Sequence, residues 1–189
     1  MPPRIQTTEE QIIEGALKII KEDGMSALNA RSLAKELGCS VQPIFRAFTN
    51  MAELKERVFN VIADQYQQYL LQSMTMEDQM IGLLMAYVRY AREEKNYFKL
   101  LHMSDRLGLN EPAEFTQVGI NKEISNMIAK MTGLSPEQGE IVYAGTFFAA
   151  HGIASMVATN HCTFTDETIK GIITDVFWGL VLKLKGGNS

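Results

Sequence analysis

Two side chains, Gln42 and Arg46, have the chemistry needed to read the edges of DNA bases. A glutamine amide can pair with adenine, and an arginine guanidinium can pair with guanine. Both belong to a short predicted helix that would present them outward. The alternative for Arg46 is a contact with phosphate alone, which adds affinity but carries no sequence information.

These two side chains lie in a predicted helix-turn-helix. Asn29 is a good N-cap for a helix from Ala30 to Leu37, and Gly38 permits a tight turn after it. Ser40 is expected to cap the second helix, residues 41–48, which is short enough for a major groove about 12 Å wide. Apolar side chains can pack the two helices together: Leu33, Leu37, Ile44 and Phe48. The alternative is a helical hairpin with a purely structural role.

The remaining segments also have helical periodicity, and none alternates as a strand would. Further helices are predicted near 8–24, from 50 to about 70, over 80–92, 97–103 and 112–131, from 136 onward, and over 166–183. Thr8 with Gln11 is expected to cap the start of the first of these and Gly24 to end it, and Ser135 with Gln138 is expected to cap the helix that begins at Pro136. The predicted fold is all-α. A three-helix helix-turn-helix domain occupies residues 1–52, and a larger helical domain for ligand binding and dimerisation occupies residues 53–189.

Composition excludes several classes of protein. The 189 residues are 46% hydrophobic and 21% charged, which is typical of a globular chain and not of a disordered one. The net charge of −4 excludes a uniformly basic coat for nucleic acid, although a local basic face is allowed. Two cysteines are too few for a disulfide framework and suit a reducing compartment, so a cytoplasmic location is expected.

One segment has to be compared with a membrane span. Residues 141–165 contain no Asp, Glu, Lys or Arg. Glycines, hydroxyl side chains and His151 interrupt the segment, and it has no flanking basic clusters. A buried helix in a soluble protein is the better interpretation, and no membrane partner is expected.

Catalytic and metal-binding patterns are missing from the sequence. There is no glycine-rich phosphate loop, no Gly-x-Ser-x-Gly elbow and no His-Glu-x-x-His motif. His151, His161 and Cys162 do not have a recognised ligand spacing. We therefore expect no enzyme activity, no metal and no cofactor.

The N-terminal motifs together resemble the DNA-binding domain of the TetR family of bacterial repressors. The resemblance runs from Thr8 to Val58 and rests on an amphipathic first helix followed by four short motifs: Arg31-Ser32-Leu33-Ala34, Leu37-Gly38-Cys39-Ser40, Ile44-Phe45-Arg46-Ala47-Phe48-Thr49-Asn50 and Glu53-Leu54. Ala150-His151-Gly152 also resembles a His-Gly element of one TetR-type C-terminal domain. The resemblance implies an all-helical, dimeric, DNA-binding regulator.

The chain departs from the family pattern at two positions that usually contact phosphate. Phe45 stands where a tyrosine is usual, and Met51 stands where a lysine is usual. Affinity is then expected to depend more on other cations: Arg4, Lys21, Arg31, Arg46 and Lys55. Salt dependence should be shallower, because its slope is about −0.9 per neutralised phosphate.

The other side chains of the second helix have a DNA-binding and a structural interpretation. Ser40 could donate to phosphate or act as a cap, while Val41 and Pro43 could touch a thymine methyl or shape the helix. Phe45 is included among the predicted DNA-binding residues because of its position in the second helix. Packing is nevertheless the commoner role for side chains such as Phe45 and Phe48.

The C-terminal domain is expected to bind a small apolar or amphipathic effector. Flexible methionines and aromatic side chains suit irregular apolar ligands, and His151 is the best internal polar candidate. The predicted pocket residues are Met85, Tyr87, Phe98, Met103, Phe115, Met127, Tyr143, Phe147 and His151. A role in the core is the alternative for each of them.

The last two helices have more apolar surface than a monomer needs, which predicts a homodimer with a four-helix contact. The predicted interface residues are Ala149, Ile153, Ile172, Val176, Phe177, Leu180 and Val181. The function expected is that of a transcriptional regulator, and by resemblance a repressor, that binds a palindromic double-stranded operator and is released by its effector. The alternatives are a helical ligand-binding protein or a protein-interaction adaptor without specific DNA binding.

Overall fold

The structure, a computed structural model, describes residues 7–73, 79–104, 112–117, 120–160 and 162–186. Within these ranges the regular secondary structure is helical, and no strand occurs. The chain divides into two compact units. Unit 1 contains residues 1–71 and 94–104, and unit 2 contains residues 72–93 and 105–189. The predicted all-α class with an N-terminal helix-turn-helix is confirmed.

Unit 1 begins with helix α1, Glu9–Asp23. Thr8 accepts a hydrogen bond from the Gln11 amide and the Gln11 side chain accepts one from the Thr8 amide, so the predicted capping box is present. The helix ends at Gly24, whose φ of 84° lies in the region that favours glycine. Both ends of α1 were therefore predicted correctly.

Helices α2, Ala30–Glu36, and α3, Gln42–Ala47, form the helix-turn-helix. Asn29 accepts hydrogen bonds from the first turn of α2, and Gly38 makes the turn with a φ of 62°. The prediction that Ser40 caps α3 is wrong. Val41 occupies the cap position and makes no side-chain cap, because α3 begins one residue later than the periodicity indicated.

Helix α4, Met51–Ser73, and helix α6, Lys95–His102, complete unit 1. Leu54, Val58 and Ile62 of α4 are fully buried. Spaced four residues apart, they form one continuous apolar stripe, so this face of α4 is buried within unit 1. The predicted domain boundary between residues 52 and 53 therefore falls near the start of a helix whose first 21 residues belong to unit 1.

Unit 2 is built around helix α9, Pro136–Thr159, which packs against helices α5, α7, α8 and α10. These span Gln79–Glu93 (α5), Pro112–Thr116 (α7), Ile120–Thr132 (α8) and Asp166–Gly186 (α10). Ser135 caps α9, with Pro136 in its first turn, as predicted. Close approach needs glycine at Gly139, where a Cβ would lie 2.6 Å from the Ser125 carbonyl oxygen.

The predicted helix over 112–131 is instead two helices, α7 and α8. The Asn121 amide donates to the Phe115 carbonyl oxygen at 2.9 Å, so a side chain of α8 satisfies a carbonyl of the last turn of α7. Apolar periodicity could not reveal this side-chain bond.

Helix α9 has the length and mean hydropathy, 1.5 over an 18-residue window, of a helix that could cross a membrane. Four other helices of unit 2 pack against it, and nine of its residues are buried within the unit. The helix therefore has the environment of a core helix, which explains its composition without a bilayer.

Candidate nucleic-acid interface and aromatic cluster

Helix α3 is anchored on one side and open on the other. Ile44 and Phe48 are buried, at 1% and 4% exposure. Val41, Gln42, Phe45 and Arg46 are exposed, and their spacing places them on one helical face. We call these four residues the reading face. The Phe45 ring is 47% exposed, so the packing role that its type suggested does not apply to it.

Near the reading face, Ser40 is exposed in the turn and Pro43 is half-buried. Arg31, in the first turn of α2, is also exposed. Within the described part of the chain, neither Arg31 nor Arg46 is engaged in an ion pair, so both guanidinium groups are available for an external anion. Lys55 is half-buried on α4, and Arg4 lies outside the described residues.

The connection between α3 and α4 is held by reciprocal capping. Asn50 accepts hydrogen bonds from the amides of Ala52 and Glu53. The Glu53 carboxylate accepts one from the Thr49 amide at 2.7 Å, and hydrogen bonds from the Thr49 hydroxyl and amide lower the pKa of Glu53. These hydrogen bonds fix the start of α4, and Met51 is the first residue of that helix.

Helix α6 packs against the C-terminal end of α1. The Lys21 ammonium lies 2.6 Å from a Glu94 oxygen, which gives this predicted DNA contact an intramolecular partner. The Asn96 amide donates to the carbonyls of Lys21 and Glu22, and the Tyr97 hydroxyl donates to the Leu17 carbonyl at 2.9 Å. Burial, helped by the charge of Glu94, raises the pKa of Tyr97 to about 12. Sequence reasoning missed these contacts, because about 75 residues separate the partners.

Five of the predicted pocket residues meet in unit 2. They are Tyr87 on α5, Phe115 on α7, and Tyr143, Phe147 and His151 on α9; together we call them the aromatic cluster. The Phe115 and Phe147 rings stack with centroids 4.3 Å apart, and Phe147 stacks on the His151 ring at 5.9 Å. The Tyr87 ring lies 5.4 Å from Phe147. Such offset and tilted arrangements suit the ring quadrupoles.

The cluster contains a chain of polar atoms. Tyr87 Oη lies 2.7 Å from His151 Nδ1, and Ser155 Oγ lies 3.3 Å from His151 Nε2. Burial lowers the pKa of His151, so the imidazole is neutral at pH 7. Burial also raises the pKa of Tyr87, which keeps its hydroxyl protonated. Ser155 was not among the predicted site residues, although its place one turn after His151 could have indicated it.

The other predicted pocket residues are distributed over both units. Met85 and Met127 are half-buried in unit 2. Phe98 and Met103 belong to unit 1, where Phe98 is fully buried with its ring 5.1 Å from that of His102, and Met103 is exposed. The predicted pocket residues therefore belong to two different units of the chain.

The predicted interface residues likewise differ in exposure. Ile153, Phe177 and Val181 are buried in unit 2 of their own chain, whereas Ile172 is exposed. The other three are half-buried: Ala149, Val176 and Leu180. Other exposed apolar side chains, which were not among the predicted interface residues, lie on the same two helices: Ile141, Phe148 and Met156 on α9, and Trp178 and Leu182 on α10.

Among the described residues, no group of three or more His, Cys, Asp or Glu side chains has a geometry that could hold a metal ion. Buried polar side chains in unit 2 are hydroxyls: Thr116, Ser125, Thr132 and Thr146.

A compact three-helix domain with one exposed helix of a helix-turn-helix defines a class of DNA-binding proteins. Residues 12–58 match the family described as "Bacterial regulatory proteins, tetR family". The chain is similar in fold to a crystal structure of "a TetR-like transcriptional regulator from Rhodococcus sp. RHA1", with a TM-score of 0.61 and 12% sequence identity. That similarity covers 94% of this chain and 96% of the other. No protein with a curated description matches the sequence.

The domain match confirms the resemblance inferred from the sequence for the N-terminal part of the chain: residues 12–58 form a DNA-binding domain of the TetR type, and the fold as a whole is similar to that of a TetR-like regulator. This domain supports a role as a DNA-binding transcriptional regulator.

Proposed function

We propose that the protein is a cytoplasmic repressor that binds a palindromic operator as a homodimer and leaves it when a small apolar or amphipathic effector binds to unit 2. No cofactor takes part. Effector binding shifts the population between a DNA-competent conformation and one whose two reading faces no longer fit successive major grooves.

The observation that carries this proposal is the reading face on α3. A helix with a purely structural role would be expected to bury its apolar side chains on every face. Here Val41 and Phe45 stay exposed beside Gln42 and Arg46, while Ile44 and Phe48 anchor the opposite side. Amide, guanidinium and apolar groups are among the side chains that distinguish bases in the major groove.

The test is fluorescence anisotropy with labelled DNA from the protein's own promoter. We expect saturable binding that unlabelled promoter DNA displaces much better than random DNA. The double variant Gln42→Ala/Arg46→Ala should lose sequence preference. Each bidentate base contact contributes about 1–3 kcal/mol of discrimination, so the loss should be at least about tenfold.

A matched control separates base reading from loss of charge. Gln65→Ala/Lys130→Ala also removes one amide and one cation from exposed helical positions, outside the reading face. It should bind like the wild type. Equal binding by both double variants would reject the base-reading assignment. Absence of sequence-dependent binding by the wild type would favour the alternatives, a ligand-binding protein or an adaptor.

The effector part of the proposal is supported by the aromatic cluster. Most helical cores are packed with aliphatic side chains, whereas this one concentrates aromatic rings around a half-buried imidazole with two polar neighbours. Ligand sites are mostly apolar with a few placed polar groups, which describes this region of unit 2.

The dimer part is supported by the exposed apolar side chains of α9 and α10. Ile141 and Phe148 are seven residues apart on α9, and Trp178 and Leu182 are four apart on α10, so each pair follows one helical face. Contiguous exposed apolar surface on adjacent helices is typical of an association site. In a two-fold dimer the two reading faces should lie one DNA turn apart, about 34–36 Å.

A further inference from the structure

We propose that two copies of the protein cross at Gly179 of α10, with Asp175 of each chain paired to Lys183 of the other. This inference deepens the proposed function and rests on the homodimer proposed there. It concerns which residues join the two copies and in which orientation, and exposed apolar surface alone does not determine either.

The outer side of α10 combines apolar and charged side chains. Ile172, Trp178 and Leu182 are 44%, 48% and 67% exposed. Asp175 and Lys183 are exposed among them. Within the described part of the chain, neither of these two charged groups takes part in an ion pair. Both charges are therefore available to a second chain.

Gly179 is the point on this side where another helix can approach most closely. The residue is exposed, and a Cβ built on it would meet no atom of its own chain within 4 Å. Glycine weakens a helix interior, so an open glycine at this position brings no benefit within a single chain. The distance between two packed helices depends on the side chains at the contact, and glycine makes that distance small.

Asp175, Gly179 and Lys183 follow one another at intervals of four residues and therefore form one ridge along α10. The ridge has an acid on one side of the glycine and a base on the other. Four residues of helix span about 6 Å, so each charge lies about that far along the axis from Gly179.

Two-fold symmetry makes this ridge complementary to itself. In a two-fold contact, residue i of one chain meets residue j of the other, and j meets i. Ridges with four-residue spacing align when two helices cross at about −50°, the commonest packing class. In an antiparallel crossing centred on Gly179, each Asp175 then lies beside the partner's Lys183, and the dimer contains two such ion pairs.

Other arrangements of α10 would bring like charges together. Gly171 is also exposed with no atom near a built Cβ, but the residues four positions away on either side of it are Glu167 and Asp175. An antiparallel crossing at Gly171 would therefore face acid with acid. In a parallel crossing, Asp175 and Lys183 would each meet their own copies. Like charges in contact are unfavourable, so the charge pattern selects the antiparallel crossing at Gly179.

The first test reverses the charges in the full-length protein and measures the dimer Kd by sedimentation equilibrium at low ionic strength. Asp175→Lys and Lys183→Asp each replace two attractive pairs by two repulsive ones, so each should raise Kd at least about tenfold. The double variant Asp175→Lys/Lys183→Asp restores opposite charges and should return to within about threefold of the wild type. Lys130→Asp on α8 makes the same change of net charge as Lys183→Asp and should leave Kd unchanged.

A mixture of the two single variants gives a further readout. Asp175→Lys has lysine at both positions and Lys183→Asp has aspartate at both, so only a heterodimer contains two attractive pairs. The mixture should form dimers at concentrations where each variant alone is monomeric. Failure of both the mixture and the double variant to restore association would overturn the pairing.

The second test locates the crossing point by a disulfide. A disulfide needs Cα atoms about 4.4–6.8 Å apart, which only residues close to the two-fold axis achieve with their own copies. In a Cys39→Ser/Cys162→Ser background, Gly179→Cys should form a covalent dimer under mild oxidation. Gly171→Cys, an equally exposed glycine of the same helix, is the matched control and should not. Equal cross-linking at the two positions would overturn the assignment of the axis.

These outcomes separate failure of this inference from failure of the proposed function. A wild-type chain that is monomeric at all concentrations would reject the proposed homodimer, and this contact with it. A wild-type dimer that shows neither charge rescue nor cross-linking through Gly179→Cys would keep the homodimer and reject the contact proposed for α10.

Discussion

Single side chains on and beside the reading face are expected to decide how the protein binds DNA. Gln42 and Arg46, the proposed base contacts, are exposed, whereas the two departures from the family pattern, Phe45 and Met51, remove a hydroxyl and a cation. Those departures have different physical consequences. A neutral donor contributes one hydrogen bond, while a cation also releases a counterion from the DNA.

We predict that Met51→Lys steepens the salt dependence of operator binding. One additional cation–phosphate contact should change the slope of log K against log salt concentration by about −0.9. Phe45→Tyr should raise affinity with no change in slope, because its contact is uncharged. Anisotropy titrations at four salt concentrations measure both quantities. An unchanged slope in Met51→Lys would mean that the start of α4 does not reach the DNA backbone.

His151 predicts a pH dependence of stability. Its pKa is lowered by burial from the ordinary value of 6.5, so in mildly acidic solution the unfolded chain binds a proton that the folded chain does not. Stability should therefore be fully present above about pH 7.5 and fall as the pH drops below 6.5 toward the lowered pKa.

The measurement is urea unfolding between pH 5 and 8, followed by circular dichroism, for the wild type and His151→Gln. The variant cannot gain this proton, so the wild type should lose more stability than the variant as the pH falls. Parallel pH profiles of the two proteins would show that His151 is not desolvated in the folded state.

At the scale of elements, α6 has an unexpected role. It belongs to unit 1 and satisfies carbonyls at the C-terminal end of α1, which a helix otherwise leaves without partners. Its sequence neighbour α5 belongs to unit 2. The chain therefore passes from unit 2 to unit 1 between Glu93 and Glu94.

We predict that Asn96→Ala loosens the end of α1. The change removes two hydrogen bonds to backbone carbonyls, which should cost about 1–2 kcal/mol of local stability. Hydrogen exchange of the amides in the last turn of α1 should accelerate. Asn60→Ala, an exposed position on α4, provides a control that should leave this exchange unchanged. Equal exchange in both variants would show that α6 does not stabilise α1.

At the scale of the whole molecule, the exposed apolar side chains of α9 and α10 point to self-association. The single tryptophan, Trp178, is 48% exposed in one chain, and Leu182, one turn later, is 67% exposed. In a two-fold contact each residue meets its own copy or a neighbour of it, so one substitution acts twice.

We predict that Leu182→Glu converts a dimer into a monomer in sedimentation velocity experiments, because it places two like charges in a desolvated contact. Trp178 reports the same change, since its emission should move to longer wavelength when water reaches the ring. Met131→Glu on α8, where the side chain is 59% exposed, is the matched control and should remain dimeric. A wild-type chain that sediments as a monomer at all concentrations would contradict the proposal.

The sequence alone predicted those features that arise within a few residues of one another. The capping boxes at Thr8 and Ser135, the glycine turn at Gly38 and the helix-turn-helix motif were recoverable, because hydrogen bonds and steric limits over three or four positions determine them. The family resemblance rests on the same short-range order.

Only the tertiary structure decided which apolar residues form the core and which remain exposed. Phe177 and Trp178 are sequence neighbours of similar character, yet one is buried and the other is open to solvent. The placement of α6 on α1 and the meeting of Tyr87 with His151 likewise join residues more than sixty positions apart. Burial is a property of packing between distant segments, and periodicity along one helix cannot specify which segment packs against each of its faces.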